Sequence, residues 1–151
     1  MKDYISYIRE LVGNHKIIMN AAACIITNED DQVLLQHRSD DHYWGLPGGI
    51  MELGETEKET CIREVKEETG LEIEVISFLG TFHNKHKTWP NGDEAHVICA
   101  IFTAKVTGGT LHTNNEETLA LDFFSSDNLP NIDAVDHLEA LTYYYDIKRG
   151  D

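Results

Sequence analysis

The sequence lacks the features that would place the chain in a membrane or in an oxidising compartment. No uninterrupted apolar run approaches the roughly 20 residues of a membrane-spanning helix, and the N-terminal segment MKDYISYIRE carries acids where a secretory signal has an apolar core. The three cysteines, Cys24, Cys61 and Cys99, are far apart and lack metal-ligand spacing. We therefore expect buried free thiols, and no disulfides, in a cytoplasmic protein.

Positive charge is scarce as well. Lysine and arginine together number 12 against 27 aspartates and glutamates, which gives a net charge of −15. A chain this acidic is poorly suited to a nucleic-acid backbone or an anionic membrane, so we expect neither as a non-specific partner. An acidic protein can still hold a phosphate compound, provided that cations lie between the two sets of negative charge.

Proline and other breakers are too few to separate domains. The chain has three prolines in 151 residues and no repeat or linker, so we predict one domain over residues 1–151. Apolar periodicity predicts helices at about 2–13, as an N-terminal extension, and at 56–69 and 133–148. Strands are predicted at 16–27, 33–38, 71–82, 95–106 and 118–124, with the first two in a hairpin and loops at 42–49 and 83–94. This order predicts an α/β protein of the α+β kind, with helices on the faces of a mixed sheet.

The second predicted helix concentrates acids on one edge. At 3.6 residues per turn, Glu64, Glu67 and Glu68 fall within an arc of roughly 100°. Carboxylates at this spacing repel one another, and solvated surface charge is the plain alternative for any acidic helix. Hard divalent cations bind through several carboxylates, so the crowding favours a metal site. The neighbouring arc carries the apolar residues that we expect to face the sheet, Cys61, Ile62 and Val65.

The approach to this helix adds two further signals. Gly48 and Gly49 are adjacent, which allows a tight turn or the close approach of a main-chain carbonyl to a ligand or metal. Arg63 can pair with Glu55 across the loop–helix junction and with Glu67 one turn further on. A surface ion pair of little value is the alternative. We favour an arginine that holds the acids in register.

Residues 49–71 read GIMELGETEKETCIREVKEETGL. This segment resembles the Nudix box: Gly, five residues, Glu, seven residues, Arg-Glu, an aliphatic residue, any residue, Glu-Glu, any residue, Gly and an aliphatic residue. Every specified position matches. VLLQHRSDDHYWGLPGG before the box and ETLALDFFSSDNLP after it are also similar to the family. The resemblance therefore covers most of the chain.

The resemblance implies an α/β/α sandwich and a hydrolase that uses Mg²⁺ or Mn²⁺. Its reaction would cleave the pyrophosphate bond of a nucleoside diphosphate linked to another moiety. Nucleoside triphosphates, nucleotide sugars such as ADP-ribose and nucleotide alcohols are all open as small-molecule substrates. ADP-ribose and dinucleoside-polyphosphate hydrolases of the family carry a proline or tyrosine beyond the box, where this chain has Lys85, His86 and Lys87. The resemblance also implies a homodimer.

By position in the box, Glu64, Glu67 and Glu68 are implied as the metal-binding catalytic carboxylates. The carbonyl of Gly49 is implied as a further metal ligand. In many family members an acid from a late loop joins the site, and Glu117 is the nearest match here.

The same resemblance implies supporting roles for two charged residues. Glu55 corresponds to the supporting acid of the box, and Arg63 to the residue that orients the glutamates. Glu116 is an alternative to its neighbour as the late acid. The general base is open among three carboxylates, Glu67, Glu68 and Glu117.

Candidate substrate contacts lie outside the box. Arg38 could hold a phosphate through two hydrogen bonds, with a surface arginine beside two aspartates as the alternative. The loop predicted at 83–94 offers Trp89 for stacking on a base, and His86 and Lys87 for phosphate. A surface loop packed on itself is the alternative.

The rival to an enzyme is a catalytically silent Nudix-like module that senses a nucleotide, but such modules usually lose box glutamates.

Overall fold

A computed structural model describes residues 3–150, so that Lys2, which the first predicted helix included, lies outside the described residues. Three helices are present in that range: α1 (Tyr4–Val12), α2 (Glu57–Thr69) and α3 (Val135–Gly150). The strands are β1 (Ile17–Ile26), β2 (Val33–Arg38), β3 (Trp44–Gly45), β4 (Gly48–Ile50), β5 (Leu71–Thr88), β6 (Glu94–Gly109) and β7 (Thr118–Phe124). No helix within residues 3–150 is both long and apolar enough to cross a membrane.

The strands form two sheets. A four-stranded sheet has the order β4-β1-β6-β5, and a three-stranded antiparallel sheet has the order β3-β2-β7. The predicted mixed sheet is confirmed, because β1 and β6 run parallel while the two outer pairs are antiparallel. The predicted hairpin of β1 with β2 is wrong, since β4 and β6 already occupy both hydrogen-bonding edges of β1. Within residues 3–150 these two strands meet at one isolated bridge, Thr27 with Val33.

The predicted loop at 83–94 is mostly strand. Strand β5 continues to Thr88 and β6 begins at Glu94, so the turn between them is short. The turn is closed by a hydrogen bond from Trp89 N–H to the Asp93 carbonyl at 3.0 Å. Polar side chains suit β5 because it is an edge strand, on which they reach water without breaking the backbone ladder. The predicted loop at 42–49 likewise contains the short strands β3 and β4.

Helices α2 and α3 cover opposite faces of the four-stranded sheet, which confirms the α/β/α sandwich. Alternate residues of β1 face opposite sides, as the two-residue period of a strand requires. Ala23 and Ile25 pack with Leu141 of α3, whereas Cys24 packs with Val65 of α2. The three cysteines are buried and free, as predicted. Ile62, which was expected to face the sheet, is instead exposed on α2.

Helix α2 has both ends fixed by its own sequence. The Thr56 hydroxyl accepts a hydrogen bond from Glu59 N–H at 3.2 Å, and the Glu59 carboxylate accepts one from Thr56 N–H at 2.9 Å. This reciprocal pair is a capping box. Gly70 ends the helix at φ 81°, where a Cβ would collide with the Thr110 carbonyl. Position and rotation of the acidic edge are therefore set at both ends.

Helix α1 is attached to the four-stranded sheet through Arg9. The guanidinium donates to the Glu94 carbonyl at 2.8 Å and to the His15 carbonyl at 2.8 Å. Ile5 packs against the core cluster beneath α3. The N-terminal helix thus becomes one wall of a cleft beside β1 and β4.

Candidate active site

The three glutamates of the box segment differ sharply in their surroundings. Glu68 has 1% of its surface exposed, and the side chain of Glu64 is also largely buried. Glu67 is 59% exposed at the side chain and forms an ion pair with Arg63 at 3.2 Å. The acidic edge of α2 therefore runs from an enclosed interior position to an open rim.

Three carboxylates converge at the enclosed end. Oxygens of Glu64, Glu68 and Glu117 all lie within 4.8 Å of one another, and we call these residues the acidic trio. Glu117 comes from the segment just before β7, which brings it across from the second sheet. Its neighbour Glu116 contributes its backbone carbonyl to the Ser39 hydroxyl at 2.7 Å and has an exposed side chain. The geometry thus favours Glu117 over Glu116 as the late acid.

The glycine pair makes room for these acids. The N–H group of Gly48 donates to Glu68 Oε1 at 2.9 Å. A Cβ on Gly49 would lie 2.5 Å from the carboxyl carbon of Glu64, and a Cβ on Gly48 would collide with the Ala22 carbonyl of β1. Only glycine lets the backbone of β4 pass this close to the acidic trio.

Arg63 ties the edge of α2 to the preceding loop. Its guanidinium donates to Glu55 Oε1 at 3.0 Å, to Glu64 Oε1 at 2.9 Å and to the Ile50 carbonyl at 3.1 Å. Together with the contact to Glu67, these hydrogen bonds connect one guanidinium to three carboxylates. The Glu55 carboxylate also accepts from Glu52 N–H at 2.9 Å and from the Thr60 hydroxyl at 3.0 Å. Its oxygens are occupied by protein donors, which suits a supporting acid.

The surroundings separate the carboxylates by their pKa values. Burial raises the pKa of Glu64 to about 7, although Arg63 acts in the opposite direction. Burial raises the pKa of Glu68 to about 8. The hydrogen bond from Arg63 lowers the pKa of Glu55 to about 2. A cation placed within the acidic trio would favour the ionised forms that burial opposes.

The donor set fits a hard divalent cation. Glu68 Oε2 is buried and, within residues 3–150, lacks a hydrogen-bond partner. Arg38 approaches the same oxygen at 3.5 Å, beyond a good hydrogen bond. A buried carboxylate oxygen of this kind is costly unless a ligand satisfies it. Carboxylate and carbonyl oxygens are what Mg²⁺ and Mn²⁺ take, so the acidic trio is suited to either.

A cleft of about 270 Å³ adjoins the acidic trio. Gly48 and Gly49 lie at the end nearest the acids. Much of the remaining lining is aromatic or aliphatic, including Tyr43, Trp44, Trp89, Ile5 and Val97. The cleft therefore combines a mainly apolar lining with acids beside one part of it, which suits a ligand that has a charged part and a flat part.

Comparison with known proteins decides the family. The sequence profile described as the NUDIX domain matches residues 18–144. The chain belongs to the Nudix family. An ADP-ribose pyrophosphatase from Methanocaldococcus jannaschii is 36% identical over 141 residues, covering 90% of this chain and 80% of the relative. A MutT-like protein from Streptomyces ambofaciens is 34% identical over 98 residues, covering 65% of this chain and 58% of the relative.

Solved structures agree with this assignment. The crystal structure of an ADP-ribose pyrophosphatase from Streptococcus suis superimposes with a TM-score of 0.69 at 30% identity, over 87% of this chain and 92% of that one. The predicted Nudix membership and fold are therefore confirmed. The predicted enzyme class, a hydrolase acting on acid anhydrides, is confirmed as well.

The substrate residues predicted for this Nudix hydrolase divide into two groups. Arg38, Lys87 and Trp89 line the cleft. The Arg38 guanidinium is already held by both oxygens of Asp40, at 3.1 and 3.2 Å. His86 lies elsewhere: it is exposed and its Nδ1 is 2.9 Å from Lys16 Nζ. The structure therefore does not bring His86 to the cleft with the other three.

Lys87 and Trp89 form a unit on the cleft wall. Lys87 Nζ lies 5.4 Å from the centroid of the Trp89 ring and 3.0 Å from Asp41 Oδ2. The lysine is thus held by a carboxylate and by the face of an aromatic ring. Trp89 also packs against the core, so that its position is fixed before any ligand arrives.

Sequence reasoning did not find two residues of the cleft. Asp136 and His137, in the first turn of α3, both line it. Tyr43 and Trp44 also line the cleft. An acid beside a histidine at the start of an amphipathic helix was the available signal for the first pair. That signal is weak, because such pairs are common on surfaces.

Proposed function

We propose that this Nudix hydrolase is a Mg²⁺-dependent pyrophosphohydrolase, for which Mn²⁺ can substitute. Its substrate would be a small nucleotide in which a nucleoside diphosphate is linked to another moiety. The observation that carries the proposal is the convergence of Glu64, Glu68 and Glu117 within 4.8 Å at the end of a mainly apolar cleft. Mutually repelling carboxylates at such distances are stabilised by a cation.

The residues that would hold the metal are the acidic trio, with the Gly49 carbonyl and Glu67 as further oxygen donors. When bound, divalent ions neutralise phosphate charge and lower the pKa of an attacking water. Arg63 would keep the carboxylates in place, since it bonds to Glu55, Glu64 and Glu67 at the same time. Most of the rate enhancement would come from positioning and charge stabilisation at the phosphoryl group.

The general base would be an acid that can meet water. Glu68 is too enclosed for this role, because only 1% of its surface is exposed. Glu117 and Glu67 are both exposed, and Glu117 is the one whose oxygen lies within the acidic trio. We therefore assign proton removal to Glu117, with Glu67 as the alternative.

The retained acids favour an enzyme over a silent sensing module. Every charged position of the box is present, and Arg63 still orients its partners. We also place the protein in the cytoplasm, where its buried free thiols would stay reduced. The homodimer remains a prediction.

The test is a panel of nucleotide derivatives assayed for released phosphate products with Mg²⁺, with Mn²⁺ and with EDTA. We expect turnover of at least one derivative that requires a divalent ion. Glu68→Gln should lower kcat by at least about 100-fold, as expected for loss of a catalytic carboxylate. The matched control is Glu57→Gln, which removes an exposed carboxylate from the same helix and should leave kcat unchanged.

Binding of Mg²⁺ provides a readout that is independent of turnover. Calorimetric titration should detect an ion in the parent and in Glu57→Gln, and a weaker or absent one in Glu68→Gln. Turnover that persists in EDTA, or Glu68→Gln with parental rate and parental Mg²⁺ affinity, would contradict the proposal.

A further inference from the structure

Lysines and histidines gather on one patch of the four-stranded sheet, although the protein as a whole is acidic. Most lysines and arginines within residues 3–150 form an ion pair with a carboxylate, but Lys16 and Lys85 do not. Both are close to three histidines of β5 and β6. We call the five residues the basic cluster: Lys16, His83, Lys85, His86 and His96.

The members of the basic cluster bond to one another instead of to acids. Lys16 Nζ lies 2.9 Å from His86 Nδ1, and His83 Nδ1 lies 2.8 Å from His96 Nε2. A lysine ammonium can only donate, so His86 accepts, and each of these contacts needs one ring nitrogen without a proton. Burial lowers the pKa of His96, and so do the charges of His83 and both lysines. The histidines are therefore held short of full protonation while no anion is bound.

The basic cluster lies on the sheet face that is turned away from the cleft. Val97 and Cys99 of β6 line the cleft, and His96 points to the opposite face because side chains alternate along a strand. Further along β6, Ala100 and Phe102 lie on that opposite face under α2. The helix does not cover the cluster, in which His96 is partly exposed and the other four residues are fully exposed. A ligand can therefore reach the cluster without entering the cleft.

The histidines decide the sign of the local charge. Two acids lie beside the cluster: Glu94 begins β6, and Glu139 of α3 lines a groove with His83 and Lys85. Neither acid forms an ion pair within residues 3–150. These two negative charges offset the two lysines, so each proton that a histidine takes up adds a net positive charge. Carboxylates further away are largely screened beyond about 8 Å at physiological ionic strength.

An anion fits the basic cluster better than a metal ion does. The facing ring nitrogens of His83 and His96 are atoms that transition metals accept as ligands. However, the described residues supply no third histidine, cysteine or acid whose ligand atom lies within 4.8 Å of both. The ammonium groups of Lys16 and Lys85 would also repel a cation. Lysines and protonated histidines instead offer several charged N–H donors to an anion.

We propose that the basic cluster is a second anion site, which binds a phosphoryl dianion when its histidines take up protons. The dianion would be either inorganic phosphate or the phosphoryl group of a small phosphomonoester. It would accept hydrogen bonds from the lysine ammonium groups and from the ring N–H groups. The inference does not depend on the proposed function, because the acidic trio takes no part in it.

The test uses sulfate as the first probe, in calorimetric titrations at constant ionic strength with EDTA. Sulfate remains a dianion between pH 6 and pH 8, so a change in its affinity over this range reports protonation of the protein. We expect sulfate to bind at least about 10-fold more tightly at pH 6 than at pH 8, as uptake of one proton by a histidine requires. Binding that is undetectable at pH 6, or equally tight at both pH values, overturns the proposal.

Four variants assign the binding to the basic cluster. Lys16→Gln and His83→Gln each remove a charged donor and should weaken sulfate binding at pH 6 by about 5-fold or more. Lys58→Gln is the matched control, because Lys58 is an exposed lysine of α2 without a carboxylate partner, and it should keep the parental affinity. Glu94→Gln removes a negative charge beside the cluster and should tighten binding.

The variants can also overturn the proposal. Parental affinity in both Lys16→Gln and His83→Gln would place the anion elsewhere on the protein. Weaker binding in Glu94→Gln would contradict an anion site, since a nearby carboxylate repels an anion and attracts a cation. Any of these results would leave the proposed hydrolase intact, because the titrations contain neither a divalent ion nor a pyrophosphate bond.

Titrations of the parent at pH 6 with inorganic phosphate and with glycerol 3-phosphate distinguish the two sources of the dianion. Tighter binding of inorganic phosphate supports a site for the free ion, and tighter binding of the ester supports a site for a phosphomonoester. Failure of both compounds to displace sulfate overturns the assignment of a phosphoryl ligand.

Discussion

Replacing Glu64 by Gln should stabilise the metal-free protein while removing its response to Mg²⁺. The Glu64 carboxyl is largely buried, and its pKa is raised from 4.5 to about 7 in the folded protein. Between these values the native state holds a proton that the unfolded chain has released. The free energy of unfolding of the parent therefore falls as the pH rises.

The size of this effect follows from the two pKa values. One pKa unit corresponds to about 1.4 kcal/mol, so ionising Glu64 costs the native state about 1 kcal/mol at pH 5.5 and about 3 kcal/mol at pH 8.5. Gln cannot ionise, and its amide oxygen can still accept the hydrogen bond from Arg63. For a chain of this length the gain in Tm is roughly 3 °C at pH 5.5 and roughly 10 °C at pH 8.5.

The assay is thermal unfolding in EDTA across this pH range, repeated with saturating Mg²⁺. Parent protein should gain stability on addition of Mg²⁺, most strongly at high pH, whereas Glu64→Gln should gain little. Glu57→Gln serves as the control, because its carboxylate is exposed on the same helix. A Glu64→Gln protein that is less stable than the parent at pH 8.5, or an advantage that does not grow with pH, would refute the reasoning.

Three further changes test the supporting structure. Gly49→Ala would place a Cβ 2.5 Å from the carboxyl carbon of Glu64. We therefore expect the free energy of unfolding, measured in urea, to fall by about 1–3 kcal/mol, and Mg²⁺ binding measured by calorimetry to weaken. A variant with the parental stability and the parental Mg²⁺ affinity would contradict the close approach. Arg63→Lys keeps the positive charge but loses the planar guanidinium that donates to several carboxylates, so kcat should fall by roughly 10-fold or more. An unchanged kcat in steady-state assays would contradict this. The pKa of Glu55 is lowered to about 2, so the stability that its carboxylate contributes is present above pH 4.5 and is lost as the pH falls toward 2. Glu55→Gln should therefore make the free energy of unfolding less dependent on pH across this window. An acid-unfolding curve identical to that of the parent would contradict this role of Glu55.

The features that the sequence predicted are those governed by local spacing. Helix α2 and its acidic edge follow from the 3.6-residue period, and Thr56 and Gly70 fix the ends at the predicted positions. The pairing of Arg63 with Glu55 also depends on a separation of a few residues along the chain. Each of these could be predicted because its partners are close in sequence.

The features that sequence reasoning missed depend on contacts between distant segments. A helical wheel places Glu64, Glu67 and Glu68 together, but only the packing of β4 on the helix separates the enclosed acids from the exposed one. Ile62 was expected in the core because it is apolar, yet the sheet covers only the arc that includes Thr60.

The cleft shows the same limitation. The packing of α3 on the sheet brings His137 to Leu46 and Asp136 close to Cys99, and no local pattern encodes either contact. The polarity of the segment after residue 82 predicts a loop, whereas β5 continues to Thr88. An edge strand tolerates polar side chains, so polarity there was a poor guide.

The most direct test of the central claim is anomalous diffraction from a crystal of the protein soaked with Mn²⁺. The account predicts an anomalous peak within coordination distance of carboxylate oxygens of Glu64, Glu68 and Glu117. An ordered Mn²⁺ bound only elsewhere, with these three side chains free of any ion at saturating concentration, would contradict it.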